Sequence, residues 1–360
     1  MDRTDPKRRL RNSLREVRPS GPTCAATEEA RSPGDNAAAP DGSRREELPT
    51  VALPDHLLEQ IDALPSLPPV LLRVANLIRN PATSALQLAS AILEDQALTA
   101  RLLRLVNSPF YGFPRQIATV TETLTILGFR PVQHLLLTAT VVDLLQAEET
   151  PEFSPFGLWQ HAVGTAVAAR LLARTAGYEA HEAVFVAGLL HDVGKLIQHQ
   201  CLRPELLEAL ALAWEGDLPL HEAETRVWGF DHTQVGRALL AAWRLPAELC
   251  EAVGCHHRPS LARQAQWESA IIHVADILAH ALGLGASGED VVPPPEEAAW
   301  EWLGVPLTAL EPLLLEIEAQ HQALLGLLLG TLRAFPGLED PLRDAAWTDR
   351  GLRATSQRPG

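Results

Sequence analysis

Several kinds of protein are excluded by what this chain has little of. Four cysteines in 360 residues, Cys24, Cys201, Cys250 and Cys255, form no CxxC pair, so neither a zinc ribbon nor a thioredoxin-like redox site is indicated. A reduced, cytoplasmic compartment is the default expectation. Aromatic residues make up only 5% of the chain and no period-2 alternation stands out, which argues against a sheet. No apolar run approaches the roughly 20 residues needed to cross a bilayer. The longest candidate, 323–329, is interrupted by Gly326, so no membrane association is expected. Lys7, Arg8 and Arg9 lie near the start, but no apolar stretch follows them as it would in a secretory signal. Lysine itself is nearly missing: 28 arginines stand against two lysines, Lys7 and Lys195.

What is present is a large apolar fraction, 46%, enough to fill the core of one large domain or two ordinary ones. The net charge is -15, which disfavours specific nucleic-acid binding unless a local basic patch or a metal reverses the sign. The charge is unevenly spread. The first 50 residues hold ten basic and nine acidic groups, leaving 20 basic and 36 acidic for the rest. Residues 1–49 are rich in Arg, Pro, Ser, Gly and Asp without aliphatic periodicity, the composition of a disordered tail. Residues 336–360 are expected to be poorly ordered as well.

From Leu53 onward the spacing of aliphatic residues turns helical. Leu98, Leu102, Leu105 and Val106 fall on one face, and similar stripes run through 69–79, 84–94, 130–145, 158–175, 183–199, 233–243, 268–282 and 309–332. Leu and Ala dominate, and prolines separate the stripes, so the expected fold is all-α. A short polar stretch at 147–155 divides a first helical half, 53–146, from a second, 156–335. In the first, Asn107 followed closely by Pro109 reads as a helix stop, with Phe110 and Tyr111 turned to the core.

The second half holds the residues that could carry chemistry: His161, the doublet His191-Asp192 in GLLHDVGK, His232, the pair His256-His257, and Asp276. Imidazoles and carboxylates suit Mn, Fe or Zn, and helices can aim them at one point from several directions. Neighbouring residues on a helix lie about 100° apart, so His191 and Asp192 reach one ion only near a helix end, where Gly194 would loosen the geometry. Lys195 is the only lysine outside the tail. In a chain that otherwise uses arginine, it suggests a compact ammonium, and a phosphate contact is its natural use.

A single His, a His-Asp doublet, a His, a His-His pair and a final Asp, in that order, resemble the HD phosphohydrolase superfamily. The first half sharpens the likeness. LPSLPPVLLRVANLI, ILEDQALTARLLRLVNSPFYG and ATVTETLTILGFRPVQHLLL, followed by FGLWQHAVGTAVAARLLA, AVFVAGLLHDVGKL and AETRVWGFDHTQVGRALLAAWRLP, resemble the HDOD family, the HD-related output domains of bacterial signalling proteins. The resemblance spans about 53–285. It implies one ion held by His161, His191, Asp192 and Asp276, and a second by His232, His256 and His257. It further implies a signalling output module that binds a signalling protein or a small phosphorylated ligand. The alternative is a metal-dependent phosphohydrolase acting on a nucleotide-like phosphoester, with Asp192 and Lys195 in catalytic roles. Arg258-Pro259-Ser260, after the His pair, departs from the cyclic-di-GMP phosphodiesterase branch, and Gln96 stands where the family usually has proline.

Overall fold

The computed structural model describes residues 53–63, 67–144, 147–288 and 292–332; the expected tails at 1–49 and 336–360 lie outside them. The described residues form helices joined by turns and loops, with no strand among them, and the expected all-α class is what the chain adopts. In chain order the helices are α1 (Asp55–Ala63), α2 (Pro69–Arg79), α3 (Ala85–Leu93), α4 (Gln96–Val106), α5 (Val120–Leu127) and α6 (Phe129–Leu144). They continue as α7 (Pro155–Thr175), α8 (His181–Leu190), α9 (Val193–Cys201), α10 (Arg203–Gly216) and α11 (Leu220–Trp228). The last are α12 (His232–Ala242), α13 (Ala247–Gly254), α14 (Gln266–Leu282), α15 (Glu297–Leu303) and α16 (Leu310–Leu332). None of them is long and apolar enough to cross a membrane.

Local chemistry sets many of the helix starts. Ser84 and Gln87 exchange side-chain and backbone hydrogen bonds in a capping box before α3, and Asp231 and Gln234 do the same before α12. Ser154 caps α7, with Pro155 at the first helical position. Asp95 caps α4 by accepting from Leu98 N at 2.9 Å, so the Gln96 departure leaves that helix start intact. Asn107 ends the same helix by tying Leu103 O and Ile117 O together through its amide.

Helix α7 is the axis of the second half. It is buried on nearly every side from Gly157 to Ala173, and its small residues admit α8, α14 and α16 closely. Helices α2 to α6 pack mainly on one another, whereas α1 lies against α9 and α12 of the second half. One continuous apolar cluster runs from Leu53 to Leu325 through both halves. At the joint Tyr111 donates to Glu182 Oε2 at 2.7 Å, and Arg170 Nε donates to Glu182 Oε1 at 3.0 Å. The guanidinium of Arg170 also covers the Phe110 ring, 4.3 Å from its centroid.

The stripe expected over 183–199 is two helices, not one. The chain breaks at His191 and Asp192, between α8 and α9, and this break frees both side chains to point inward. Gly194 follows it for a reason other than looseness. A Cβ there would lie 1.9 Å from His232 O, so α9 and α12 cross with backbone against backbone. Gly194→Ala is therefore expected to destabilise the protein by about 1–3 kcal/mol, the usual cost of overpacking. Chemical denaturation checks this, and an alanine variant as stable as wild type would contradict the close crossing.

Candidate metal centre

The seven residues singled out in the second half come from five places in the bundle. His161 projects from α7, His191 and Asp192 from the break before α9, and His232 from the first position of α12. His256 and His257 follow the end of α13, and Asp276 lies within α14. The structure brings all seven together. Their ligand atoms form three overlapping sets, His161/His191/Asp276, His191/Asp192/His256 and His232/His256/His257, and within each set every atom is within 4.8 Å of the others. Asp192 stands between the first and last: its Oδ2 is 3.3 Å from His191 Nε2, and its Oδ1 is 3.1 Å from His232 Nε2.

The imidazoles are held at their outer nitrogens. His191 Nδ1 donates to Gly188 O at 2.7 Å, and His256 Nδ1 donates to Val253 O at 2.7 Å. His232 Nδ1 donates to the Glu224 carboxylate at 2.7 Å, which also accepts from the His232 backbone N–H. Fixing Nδ1 in this way turns each Nε2 toward the interior, as is usual for metal-binding histidines. There, His191 Nε2, His256 Nε2 and Asp192 Oδ1 are buried without a hydrogen bond among the described residues. Three such orphans in one place would each cost about 1–3 kcal/mol if nothing coordinated them. Two imidazole nitrogens and a carboxylate oxygen are donors of the right chemistry for a divalent first-row ion, so the residues present fit one.

The electrostatics carry the same imprint. Burial pulls His161 down to about 4, with His280 adding to the effect. Burial also depresses His256 and His257. For His191 burial acts in that direction too, but the Asp192 carboxylate overcomes it and raises the group to about 9. His232 is raised to about 10, against burial, chiefly by Glu224. Asp192 and Asp276 stay ionised despite burial, Asp192 because His191 and Lys195 face it, Asp276 because His280 and His161 do. Lys195 is 1% exposed, and its ammonium donates to Asp192 Oδ2 at 2.9 Å.

Sequence reasoning missed four residues around this cluster. Glu224 is fully buried beneath His232, His221 stacks on His257 at 4.1 Å, and His273 Nδ1 donates to His256 O at 2.8 Å. His280 lies beside His161 and Asp276. Only His280 carried a signal, its i+4 spacing from Asp276.

The family model for the HDOD domain matches residues 64–259. The chain belongs to the HDOD domain family. Among solved structures, this HDOD protein is similar to an HDOD domain protein of unknown function from Geobacter sulfurreducens, at 28% identity and TM-score 0.61, over 74% of this chain and 96% of that one. A signal transduction protein from Marinobacter aquaeolei VT8, so named as a candidate, matches at 20% identity and TM-score 0.60, over 75% of this chain and 60% of the other. A candidate phosphohydrolase from Shewanella amazonensis SB2B matches at 19% and 0.52, over 74% and 97%. These last two show a shared fold. An uncharacterized protein of Treponema pallidum (strain Nichols) is 29% identical over 209 residues, 58% of this chain, and the HDOD protein spans 40% of that relative's length.

Glu224 gives the sharpest test of the orienting contacts. Glu224→Ala removes the acceptor of both the His232 backbone N–H and its Nδ1 proton and is expected to cost about 2–4 kcal/mol, with Glu224→Gln less damaging. Urea unfolding of the two variants measures it; an alanine variant within about 1 kcal/mol of wild type would show that the pair does not organise the site.

Proposed function

We propose that this protein is an HDOD-type signalling output module that holds one or two divalent ions in its HD-like half and acts by binding a signalling protein or a small phosphorylated ligand. The observation that carries the reading is the set of inward-facing, buried donor atoms that make no hydrogen bond, His191 Nε2, His256 Nε2 and Asp192 Oδ1, with both rings held by acceptors behind them. His161, His191, Asp192 and Asp276 would hold the first ion, and His232, His256 and His257 the second, with Mn, Fe or Zn suited to the donors. A cytoplasmic location is part of the proposal.

Burial argues for an output module over an enzyme. His161, His191, Asp192, His232, His256 and Asp276 are at most 2% exposed, and only His257 among the seven is half-buried. The Lys195 ammonium, a natural phosphate ligand, is committed to Asp192. One observation favours a second reading, a metal-dependent phosphohydrolase: the entire donor set of the HD pattern stands at one point with Lys195 beside it. When bound, a divalent ion there would polarise a phosphoryl oxygen and lower the pKa of a water. In that reading Lys195 would offset charge gathering on the phosphoester, and Asp192 would orient the ligands on both sides.

Elemental analysis of protein purified without chelator or nickel column tests the metal. The expected result is Mn, Fe or Zn in a stoichiometric amount; a well-folded sample with none removes both metal readings. Assay of a generic phosphodiester against wild type and Asp192→Ala separates module from enzyme. No turnover is expected, and turnover that Asp192→Ala abolishes would establish the hydrolase.

Ion binding should also depend on pH. His191 is raised to about 9 and His232 to about 10 in the metal-free cluster, so each of the two ions must displace a proton from one of its ligands. Affinity is therefore expected to rise about tenfold for each pH unit between about 6 and 8. Titration calorimetry in buffers of different ionisation enthalpy reads the released protons, and an affinity flat across that interval would contradict the assignment of His191 and His232 as ligands.

A further inference from the structure

More imidazole converges on Asp276 than the HD pattern supplies. Its Oδ1 lies 2.8 Å from His161 Nε2, 3.4 Å from His280 Nε2 and 3.5 Å from His191 Nε2. His280 stands one turn beyond Asp276 on α14, so both project from the same face. Its ring centroid is 4.4 Å from that of His161, and its side chain is 8% exposed.

A carboxylate oxygen has two lone pairs, so three imidazole nitrogens cannot all donate to Asp276 Oδ1. Ligands bound to a first-row ion at about 2.0–2.2 Å would sit roughly 3.3–3.6 Å from one another in near-tetrahedral geometry. The separations of His280 and His191 from Asp276 have that size. The chain also walls this side of the cluster. After α14 ends at Leu282, the backbone turns back through Gly285 at φ +78°, and Ala286 N donates to Gly157 O at 2.9 Å. A Cβ on Gly285 would fall 2.3 Å from His161 N, so this approach to α7 needs glycine. The turn brings in Ser287, 1% exposed, with Oγ 3.4 Å from His280 Nε2.

We propose that His280 is a further ligand of the ion held by His161, His191, Asp192 and Asp276, filling a coordination position that water or substrate would take in an open site. The inference rests on the metal reading above and deepens it. With His280 that ion would meet five protein donors, leaving no position for water in a four- or five-coordinate site, whereas a catalytic site keeps a position free. It gives this chain a coordination chemistry that the HD pattern alone does not specify.

The test uses full-length wild type, His280→Ala and Asp276→Asn, stripped with chelator and titrated with Co2+ alone. Equilibrium dialysis reads affinity, and visible absorption reads the number and kind of ligands. For His280→Ala the expected result is at least about a tenfold loss of affinity for one ion and a weakened visible band, as water replaces an imidazole. Asp276→Asn should lose the same ion. If Asp276→Asn loses it while His280→Ala keeps both wild-type affinity and wild-type band, the inference is overturned and the metal reading stands. A wild type that takes up no Co2+ overturns both. Thermal unfolding of the stripped proteins controls for folding, and His280→Gln replaces the alanine variant if that one does not fold.

Discussion

Buried acceptors that face one another are the constraint on which the rest of this molecule turns. Asp192 and Asp276 lie among His161, His191, His232, His256 and His280, and the contacts available inside the cluster cannot satisfy them all. With Nδ1 of His191 committed to a carbonyl, its Nε2 in the neutral ring is a lone pair set against carboxylate oxygens at 3.3 Å and 3.5 Å. That opposition is relieved by a proton or by a metal ion. Taking carboxylates out of water costs several kcal/mol each, so a chain that buries two at one point must supply compensating charge there. Lys195 supplies one share, and the raised pKa of His191 shows the demand for another.

The scaffold meets this demand with a device used twice. His191 and His256 each stand just past the end of a helix, α8 and α13, and each returns its Nδ1 proton to the carbonyl three residues back. The last carbonyls of a helix have no partner within it, so an imidazole there both satisfies one and becomes oriented by it. His232 is fixed from the opposite end of a helix. As the first residue of α12, its backbone N–H is one of the unpaired donors, and Glu224 from α11 takes that N–H and the ring proton together. Helix ends, where backbone groups are unspent, therefore hold three of the rings. The tight Gly194 crossing of α9 on α12 brings two of these ends into register.

Much of this could be read from the sequence, because helical periodicity and side-chain type are local properties. The aliphatic stripes marked the helices, and the ordered His and Asp residues marked the elements that carry donors. The break inside 183–199 was harder to see, since apolar residues continue on both sides of His191 and Asp192 and only tertiary contact splits the stripe. Glu224 and His273 were invisible for a related reason. Each acts on a residue 8 or 17 positions away, and a lone buried Glu or His has no spacing signature. Lys195 was legible as an exception, but composition could not say whether its ammonium would meet a ligand or a neighbouring carboxylate. The structure gives it Asp192. Helix α1 shows the same limit: its sequence fits a helix, but nothing local indicates that it packs on α9 and α12.

The proposed output module would need its two halves to feel one another, and α8 has the placement for that. Its first turn carries Glu182, which binds Arg170 and, across the joint, Tyr111; its last turn leads directly into His191. Ten helical residues span about 15 Å and do not bend easily, so the joint and the His-Asp doublet share one stiff element. An ion that fixes His191 and Asp192 would fix the C-terminal end of α8, and a partner that shifts Tyr111 would load the other end. For an enzyme, this connection would be incidental, because the chemistry would depend on an open coordination position. In a cluster closed as proposed, the consequence of binding would be mechanical. The burial of the donors, the engagement of Lys195 and the path of α8 are three features that a module of this kind would need together.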